Sequence, residues 1–280
     1  GHDIALVVTQ PDRRRGRGPA LVPSPVKVAA LELSLPVRTP ARACEVVDEL
    51  GATGAELGAV VAFGQLLPDA LLDALPHGFV NLHFSLLPRW RGAAPVERAI
   101  LAGDTETGVS VMHIDAGLDT GPVYATRRTA IGPHDTAGEL RARLVALGTE
   151  LMVETVPRVP TTDPTPQVGE ATYAEKLTVE EFELDWSRPT EELMRLIRAG
   201  NPRPGAWTTA GGQRLKVWRA HPRPAIAPVG AMPGAVHPGT EVSTGDGVLA
   251  LVEVQPEGKG RMPHTAWLAG HRGVAMLGGR

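Results

Sequence analysis

The sequence predicts an α/β protein: a layered domain with a mostly parallel sheet, followed by a small β-barrel-like domain. Three observations predict it. Over residues 4–156, short β-branched or apolar runs alternate with helical patterns, the signature of βαβ units. The stretch "PRVPTTDPTPQVGEAT" (157–172) is rich in Pro and Thr and shows no periodicity, as a linker does. After one more helical pattern, short strand-like runs separated by Gly and Pro turns fill the C-terminal part, a small-barrel pattern. The expected division is 1–160 for the first domain, 161–180 for the linker and 181–280 for the second domain.

Each element has its own reason. "IALVVTQP" (4–11) is a β-branched run ended by Pro, a strand leading into a loop. That loop holds Arg13, Arg14, Arg15 and Arg17 among glycines and prolines, so it is expected to be mobile and strongly cationic. "PVKVAALELSL" (25–35) fits a helix, with Pro25 acceptable in the first turn. "EVVDELGATGAELGAVVAFG" gives a helix, then an apolar strand near 58–63. "FVNLHFS" (79–85) is the next strand, and "APVERAILAG" (94–103) a short helix bounded by Pro95 and Gly103. "TGVSVMHID" and "PVYATRRTAI" are strands flanking a loop. In the helix 135–156, Thr136 and Glu139 form a capping box, and Leu140, Leu144, Leu147 and Leu151 form the apolar stripe. "RPTEELMRLIRAGNP" (188–202) is a helix with Gly200 placed to cap its C-terminus.

Composition narrows the function classes. The chain has 280 residues, 42% hydrophobic and only 4% aromatic, with a net charge of −3. A core can form from Val, Leu, Ala and Ile, and the chain as a whole is no generic polyanion binder. Nucleic-acid contact requires a local basic patch. Cys44 is the single cysteine, which excludes an internal disulfide and a cysteine-cluster metal site. No apolar run approaches the ~20 residues of a membrane span, so the expectation is a cytoplasmic protein with no membrane association.

Candidate chemistry begins on the strand 79–85. With side chains alternating by period two, Val80, Leu82 and Phe84 share one face, and Asn81, His83 and Ser85 share the other. Pro88 stops the strand, so the polar face lies near its C-terminal end, where ligands bind in open parallel sheets. Taken alone, the pair is better explained as a hydrogen-bonded core histidine and a turn amide. "HIDAGLDTGPVY" (113–124) changes that balance by placing Asp115 at a strand end and Asp119 in a Gly-flanked loop. A carboxylate carried on such a loop can reach and orient His83; on loop chemistry alone Asp119 is equally well an Asx-turn cap. Asn, His and Asp without an activated nucleophile suit general-base chemistry with carbonyl polarisation. Ser85 lacks the G-x-S-x-G elbow of a serine hydrolase. "GRGPAL" lacks the third glycine of a dinucleotide site. His113 and Asp115 have no third partner at metal-ligand spacing, so no metal is expected.

"NLHFSLLPRWRGAAP" followed by "GVSVMHIDAGLDTGPV" resembles the formyltransferase family that uses 10-formyltetrahydrofolate, and within it the branch acting on methionyl-tRNA. "TQPDRRRGRG", "PSPVKVAA", "VVAFGQLLP", "ATYAEKL", "DWS", "LIRAGNPRPGAW", "KVWRA" and "TGDGVLAL" follow the same family in order. The resemblance implies a Rossmann-like formyltransferase domain and an OB-like C-terminal domain that helps hold tRNA. It implies formyl transfer from 10-formyltetrahydrofolate to the α-amine of initiator methionyl-tRNA, with Asn81, His83 and Asp119 catalytic. The implied folate residues are Phe63, Gln65, Leu66 and Leu67, Ser85, Leu86, Leu87 and Pro88, and Asp115 and Gly117. Arg17 stands where the family has a basic residue sensing the acceptor end, and Arg13, Arg14 and Arg15 extend that tRNA contact. A monomer is expected. The resemblance also implies a strand and helix with a Gly-Thr-Pro turn ahead of Gly1. Three readings compete: a related formyltransferase for a small amine, which the same trio would serve; a formyltetrahydrofolate hydrolase, in which water replaces the amine; and, from another class, a non-catalytic RNA-binding protein built on this fold.

Overall fold

The computed structural model describes residues 2–14, 20–223, 231–238, 240–271 and 273–278. Arg15 and Arg17 lie outside the described residues. The chain forms two compact units that are interleaved in sequence. The first takes Gly1–Arg91, Val109–Arg127 and Leu147–Thr172; the second takes Gly92–Gly108, Arg128–Ala146 and Tyr173–Arg280.

In the first unit, β1 (Val7–Val8) pairs in parallel with β4 (Val37–Arg38). Between them, β2 (Arg13–Arg14) and β3 (Leu21–Val22) form a two-residue antiparallel ladder. The bases of the Arg-rich loop are therefore hydrogen-bonded, where the sequence suggests an unstructured loop. Two side-chain contacts reinforce them: Lys27 pairs with Asp12 at 2.8 Å, and Arg13 donates to Gln10 at 2.7 Å. Helix α1 (Pro25–Glu32) starts where Ser24 Oγ accepts from the Lys27 amide at 3.0 Å, with Pro25 in its first turn. A 3-10 turn (Ala43–Val46) leads into α2 (Val47–Ala52).

Strand β5 (Gly58–Val60) is shorter than the apolar run suggests, because Ala62 and Gly64 adopt positive φ and turn the chain. A one-turn helix, α3 (Asp69–Leu72), precedes β6 (Phe79–His83). β6 runs parallel to β5, with Val60 opposite Asn81, and antiparallel to β8 (Glu106–His113), with Asn81 opposite Met112 and His83 opposite Ser110. β9 (Val123–Ala130) lies beside β8, so the sheet order is β5-β6-β8-β9. Parallel pairing thus covers β1–β4 and β5–β6, and an antiparallel edge continues from β6. Gly58 is required by its neighbour: a Cβ there would sit 2.1 Å from the Phe79 ring.

The two faces of β6 have different surroundings. Val80 and Leu82 are buried. Leu82 meets helix α5 (Ala137–Thr155) so closely that a Cβ on Gly148 would approach its Cδ2 to 2.6 Å. On the other face, Phe79 joins a cluster with Ala43, Val46, Leu71 and Leu75, and Asn81 and His83 follow it toward the strand end. The capping box of α5 forms as the sequence indicates: the Glu139 amide donates to Thr136 Oγ1 at 3.2 Å, and the Thr136 amide to Glu139 Oε2 at 2.9 Å. Residues 157–172 do not form a free tether. After a 3-10 turn (Val156–Thr161) they run extended, and Thr165 bridges Val123.

The chain enters the second unit at β7 (Arg91–Gly92), which leads into α4 (Pro95–Ala102); α4 ends at Gly103 in the left-handed region. α4 packs on α6 (Thr190–Gly200); Val96, Ala99 and Ile100 of α4 and Leu193 and Ile197 of α6 are buried. Gly200 is the last helical residue, and its role differs from the expected left-handed cap. A Cβ there would come within 2.8 Å of both the Ala206 amide and the Phe182 ring, so the glycine serves close packing. After the short β10 (Tyr173–Ala174), the strands β11 (Ala206–Ala210), β12 (Gln213–Arg223), β13 (Glu241–Ser243), β14 (Val248–Pro256) and β15 (Met262–Pro263) form one 5-stranded sheet. Its pairs are antiparallel, and register shifts around Arg219 curl β12.

Helix α7 (His264–Gly270) follows β15 in this unit. His264 is fully buried and stacks on Trp267, with 5.4 Å between ring centroids. Burial, opposed by the Thr240 backbone, pulls its pKa down to about 4. The unfolded ring protonates near pH 6.5, whereas the folded ring stays neutral until about pH 4. Its contribution to stability is therefore complete above pH 6.5 and lost as the pH falls toward 4. The expected loss at pH 5 relative to pH 7.5 is about 2 kcal/mol from this residue. Urea denaturation followed by Trp fluorescence at the two pH values measures it, and His264→Gln should flatten the dependence. An identical pH dependence in the variant would assign the effect elsewhere.

Candidate active site

His83 ends β6 and is 5% exposed. Its two nitrogens face different partners. Nε2 lies 2.8 Å from the carbonyl oxygen of Trp90, and Nδ1 lies 3.6 Å from Asp119 Oδ2. A carbonyl can only accept, so Nε2 carries a proton. In the neutral ring Nδ1 is then the unprotonated nitrogen, and it is the atom left to take up a proton. Asp119 stands on that same side, where it would pair with the imidazolium. This differs from a Ser-His-Asp triad, in which the carboxylate and the nucleophile use opposite nitrogens. Here a backbone carbonyl holds the ring, and the carboxylate shares the reactive edge.

Asn81 lies two residues before His83 on the same face and is half-buried. Both flanking strands pair with β6 at this point, which fixes its backbone. Among the described residues its side chain makes no hydrogen bond, leaving the amide N–H groups available to a ligand.

Asp119 is delivered by the loop between β8 and β9. Asp115 Oδ1 accepts from the Gly117 amide at 3.0 Å and from Thr120 Oγ1 at 2.6 Å. The Asp115 carboxylate is thus occupied in shaping the loop. Asp119 sits at φ +52, and a Cβ on Gly121 would come within 1.9 Å of the His113 carbonyl oxygen. The chain can close back onto β8 there only with glycine.

The turn after β6 is braced from inside. Ser85 is fully buried; its Oγ donates to the Arg89 carbonyl, and its own carbonyl accepts from Ser110 Oγ at 2.8 Å. Ser110 also accepts from the Leu87 amide at 3.3 Å. Ser85 holds the turn, while Leu86, Leu87 and Pro88 remain partly open. Across from it, Phe63 and Leu67 pack with Ile114 on the Phe79 cluster, which brings the 62–68 loop and the root of the Asp115–Asp119 loop together. Gln65 is partly exposed, and Leu66 projects with 87% of its surface exposed. Arg13 and Arg14 are exposed on their ladder.

A cavity of about 720 Å³ lies near the other end of β6, where Val80 pairs with His113; His77, Gly78, His113 and Tyr124 line it, with none of the candidate residues. Among the described residues no three His, Cys, Asp or Glu side chains are grouped to hold a metal ion, and no helix is long and apolar enough to cross a membrane.

Sequence patterns missed several participants. The Trp90 carbonyl carries no residue-type signal. Ser110, Arg91, Gln167 and Thr172 become visible only through their partners.

A donor amide, a proton-accepting imidazole edge and a carboxylate converging beside open loops suit a carbonyl that becomes an oxyanion, which is the chemistry of an acyl-transfer enzyme. The chain belongs to the formyltransferase family. Residues 1–156 match the formyl transferase domain and residues 176–272 match the formyl transferase C-terminal domain. A methionyl-tRNA formyltransferase of Symbiobacterium thermophilum is 50% identical, covering 96% of this chain and 86% of that protein. The one from Thermus thermophilus is 47% identical over 98% and 90%. Among solved structures, a methionyl-tRNA formyltransferase from Clostridium thermocellum aligns with a TM-score of 0.54 at 21% identity, over 70% of this chain and 87% of that one. HypX from Aquifex aeolicus, solved with tetrahydrofolic acid, aligns at 0.65 and 18% identity, over 88% and 44%. These two share the fold.

Proposed function

We infer that the chain transfers a formyl group from 10-formyltetrahydrofolate to the α-amine of initiator methionyl-tRNA, as a cytoplasmic, monomeric enzyme. The observation that carries this reading is 47% to 50% identity over nearly the whole chain, across both parts of it, to relatives named methionyl-tRNA formyltransferase. The neutral amine attacks the formyl carbon, forming a C–N bond and an oxyanion. Asn81 donates to that oxygen. The proton shed by the new ammonium passes to His83 Nδ1, and Asp119 stabilises the imidazolium. The bond to N10 of the folate then breaks, N10 takes up the proton, and the carbonyl re-forms. No group of the enzyme is acylated.

The folate is assigned to Phe63, Gln65, Leu66 and Leu67 on one side and Leu86, Leu87 and Pro88 on the other. Asp115 and Gly117 shape the third wall, and Ser85 contributes by holding its turn. Residues 1–160 are taken as the catalytic part, 161–180 as the connection and 181–280 as the tRNA-holding part. Arg13 and Arg14, with Arg15 and Arg17, are assigned to the acceptor end. Formyl transfer measured with charged initiator tRNA and 10-formyltetrahydrofolate tests the reading. Turnover with a free amino sugar or with water, and none with the tRNA, would overturn it.

The second unit supports a polyanionic substrate. Arg214 stacks over Trp207 at 3.9 Å, and Lys216 and Arg261 lie over Trp218 at 5.3 and 3.8 Å. Burial, with repulsion from Arg214 and Arg261, lowers the Lys216 pKa. Cations held against one another in this way gain from a phosphate backbone. Arg214→Ala with Arg261→Ala is expected to weaken tRNA binding and make the slope of log K against log salt less negative by about 1.8. Filter binding over a salt series measures it, and an unchanged slope would remove this face from the tRNA contact.

A further inference from the structure

Beyond the 3-10 turn at Val156–Thr161, the segment up to Thr172 has no helix or long strand of its own, yet it touches both arms of the candidate site. Gln167 Nε2 donates to the carbonyl oxygens of Asp119 at 2.9 Å and of Gly121 at 2.8 Å. Its Oε1 accepts from Arg91 Nη2 at 2.7 Å and Nε at 3.1 Å. Both donors and both lone pairs of the amide are thereby used. Arg91 directly follows Trp90, whose carbonyl holds His83 Nε2. Five residues on, Thr172 Oγ1 accepts from the Trp90 amide at 2.9 Å, and its carbonyl accepts from the Arg91 amide at 2.9 Å.

These contacts close a circuit. From His83 Nε2 it passes through the Trp90 carbonyl, Arg91 and Gln167 to the Asp119 backbone, then returns from the Asp119 carboxylate to His83 Nδ1 at 3.6 Å. We propose that Gln167 is a positioning residue for the formyl-transfer reaction: it sets the separation between Asp119 and the reactive edge of His83 by tying the Asp119 loop to the Trp90–Arg91 segment. Only a side chain with two donors and an acceptor at one end fits this junction. Glu keeps the acceptor for Arg91 but has no proton for the two carbonyls, and Met of similar length offers neither.

The proposal rests on the formyl-transfer reading, and its test separates the two. Gln167→Glu and Gln167→Met are compared with wild type in steady-state formyl transfer, in Tm, and in hydrogen exchange of the 115–121 amides. The expected result is a kcat lower by roughly 10- to 100-fold in both variants, with the KM for folate and tRNA within about threefold and faster exchange in the loop. Placed on Asp119→Ala, Gln167→Met should cost less than about twofold more, because the separation it sets no longer matters. Unchanged kcat would overturn the proposal, as would a loss confined to KM or a full further loss on Asp119→Ala. If wild type transfers no formyl group, the functional reading fails. The loop exchange then decides the clamp: faster exchange in both variants supports it, and wild-type exchange removes it.

Discussion

Asn81→Ala is expected to lower the rate of formyl transfer about 100- to 1000-fold while leaving fold and substrate affinity nearly intact. In the proposed mechanism the oxygen that Asn81 serves becomes an anion only as the amine adds, so the lost hydrogen bond would be missed in the transition state and hardly before it. The backbone that carries the donor is held in place: β6 is paired on both sides at this residue, with Val60 and Met112 opposite. Because the amide has no side-chain partner among the described residues, its removal strands no buried group, and Tm should move little. Asn81→Asp should be as damaging, since it sets a negative charge against the oxyanion. Single-turnover formylation with both substrates saturating isolates the step. A raised KM with unchanged kcat would assign Asn81 to ground-state binding.

His83→Ala and Asp119→Ala are each expected to cost between about 100- and 10,000-fold in kcat, and the double variant little more than the worse single one. With Nε2 committed to the Trp90 carbonyl, the proton from the attacking amine has one ring atom to go to, and Asp119 is placed to stabilise the charge that results. The distance of 3.6 Å is long for a hydrogen bond; in the proposed reaction, protonation of Nδ1 would give it a donor and a charge and would tighten the contact. Removing either member therefore removes the same interaction. Losses that multiply in the double variant would mean that Asp119 acts on something other than His83, such as a bound water or the folate.

Much of this arrangement was legible from local patterns. Period-two alternation on 79–85 puts Asn81 and His83 on one face with Leu82 opposite, and the contacts agree: Leu82 lies under α5, and Phe79, on the Asn81 side, joins the Ala43–Leu75 cluster. The Thr136–Glu139 box and the Pro95 and Gly103 boundaries are equally local. Other features were hidden for identifiable reasons. Arg13 and Arg14 pair with Leu21 and Val22 through backbone groups that every residue carries, so composition suggests only a charged loop. Gly200 reads as a helix cap because glycine usually has that use; its reason here is the Phe182 ring, which lies far along the chain. Gln167 sits in a Pro- and Thr-rich run, and its partners lie 46 to 76 residues away.

By itself, the sequence determined which side chains are chemically able to act and which face of a strand each occupies, because side-chain type and strand periodicity are local properties. Only the tertiary structure decided which nitrogen of His83 is free, what holds the Asp119 loop against it and how Ser85 is spent. Those outcomes depend on where backbone carbonyls and distant amides meet, and a carbonyl is the same at every position of the chain until folding gives it a partner.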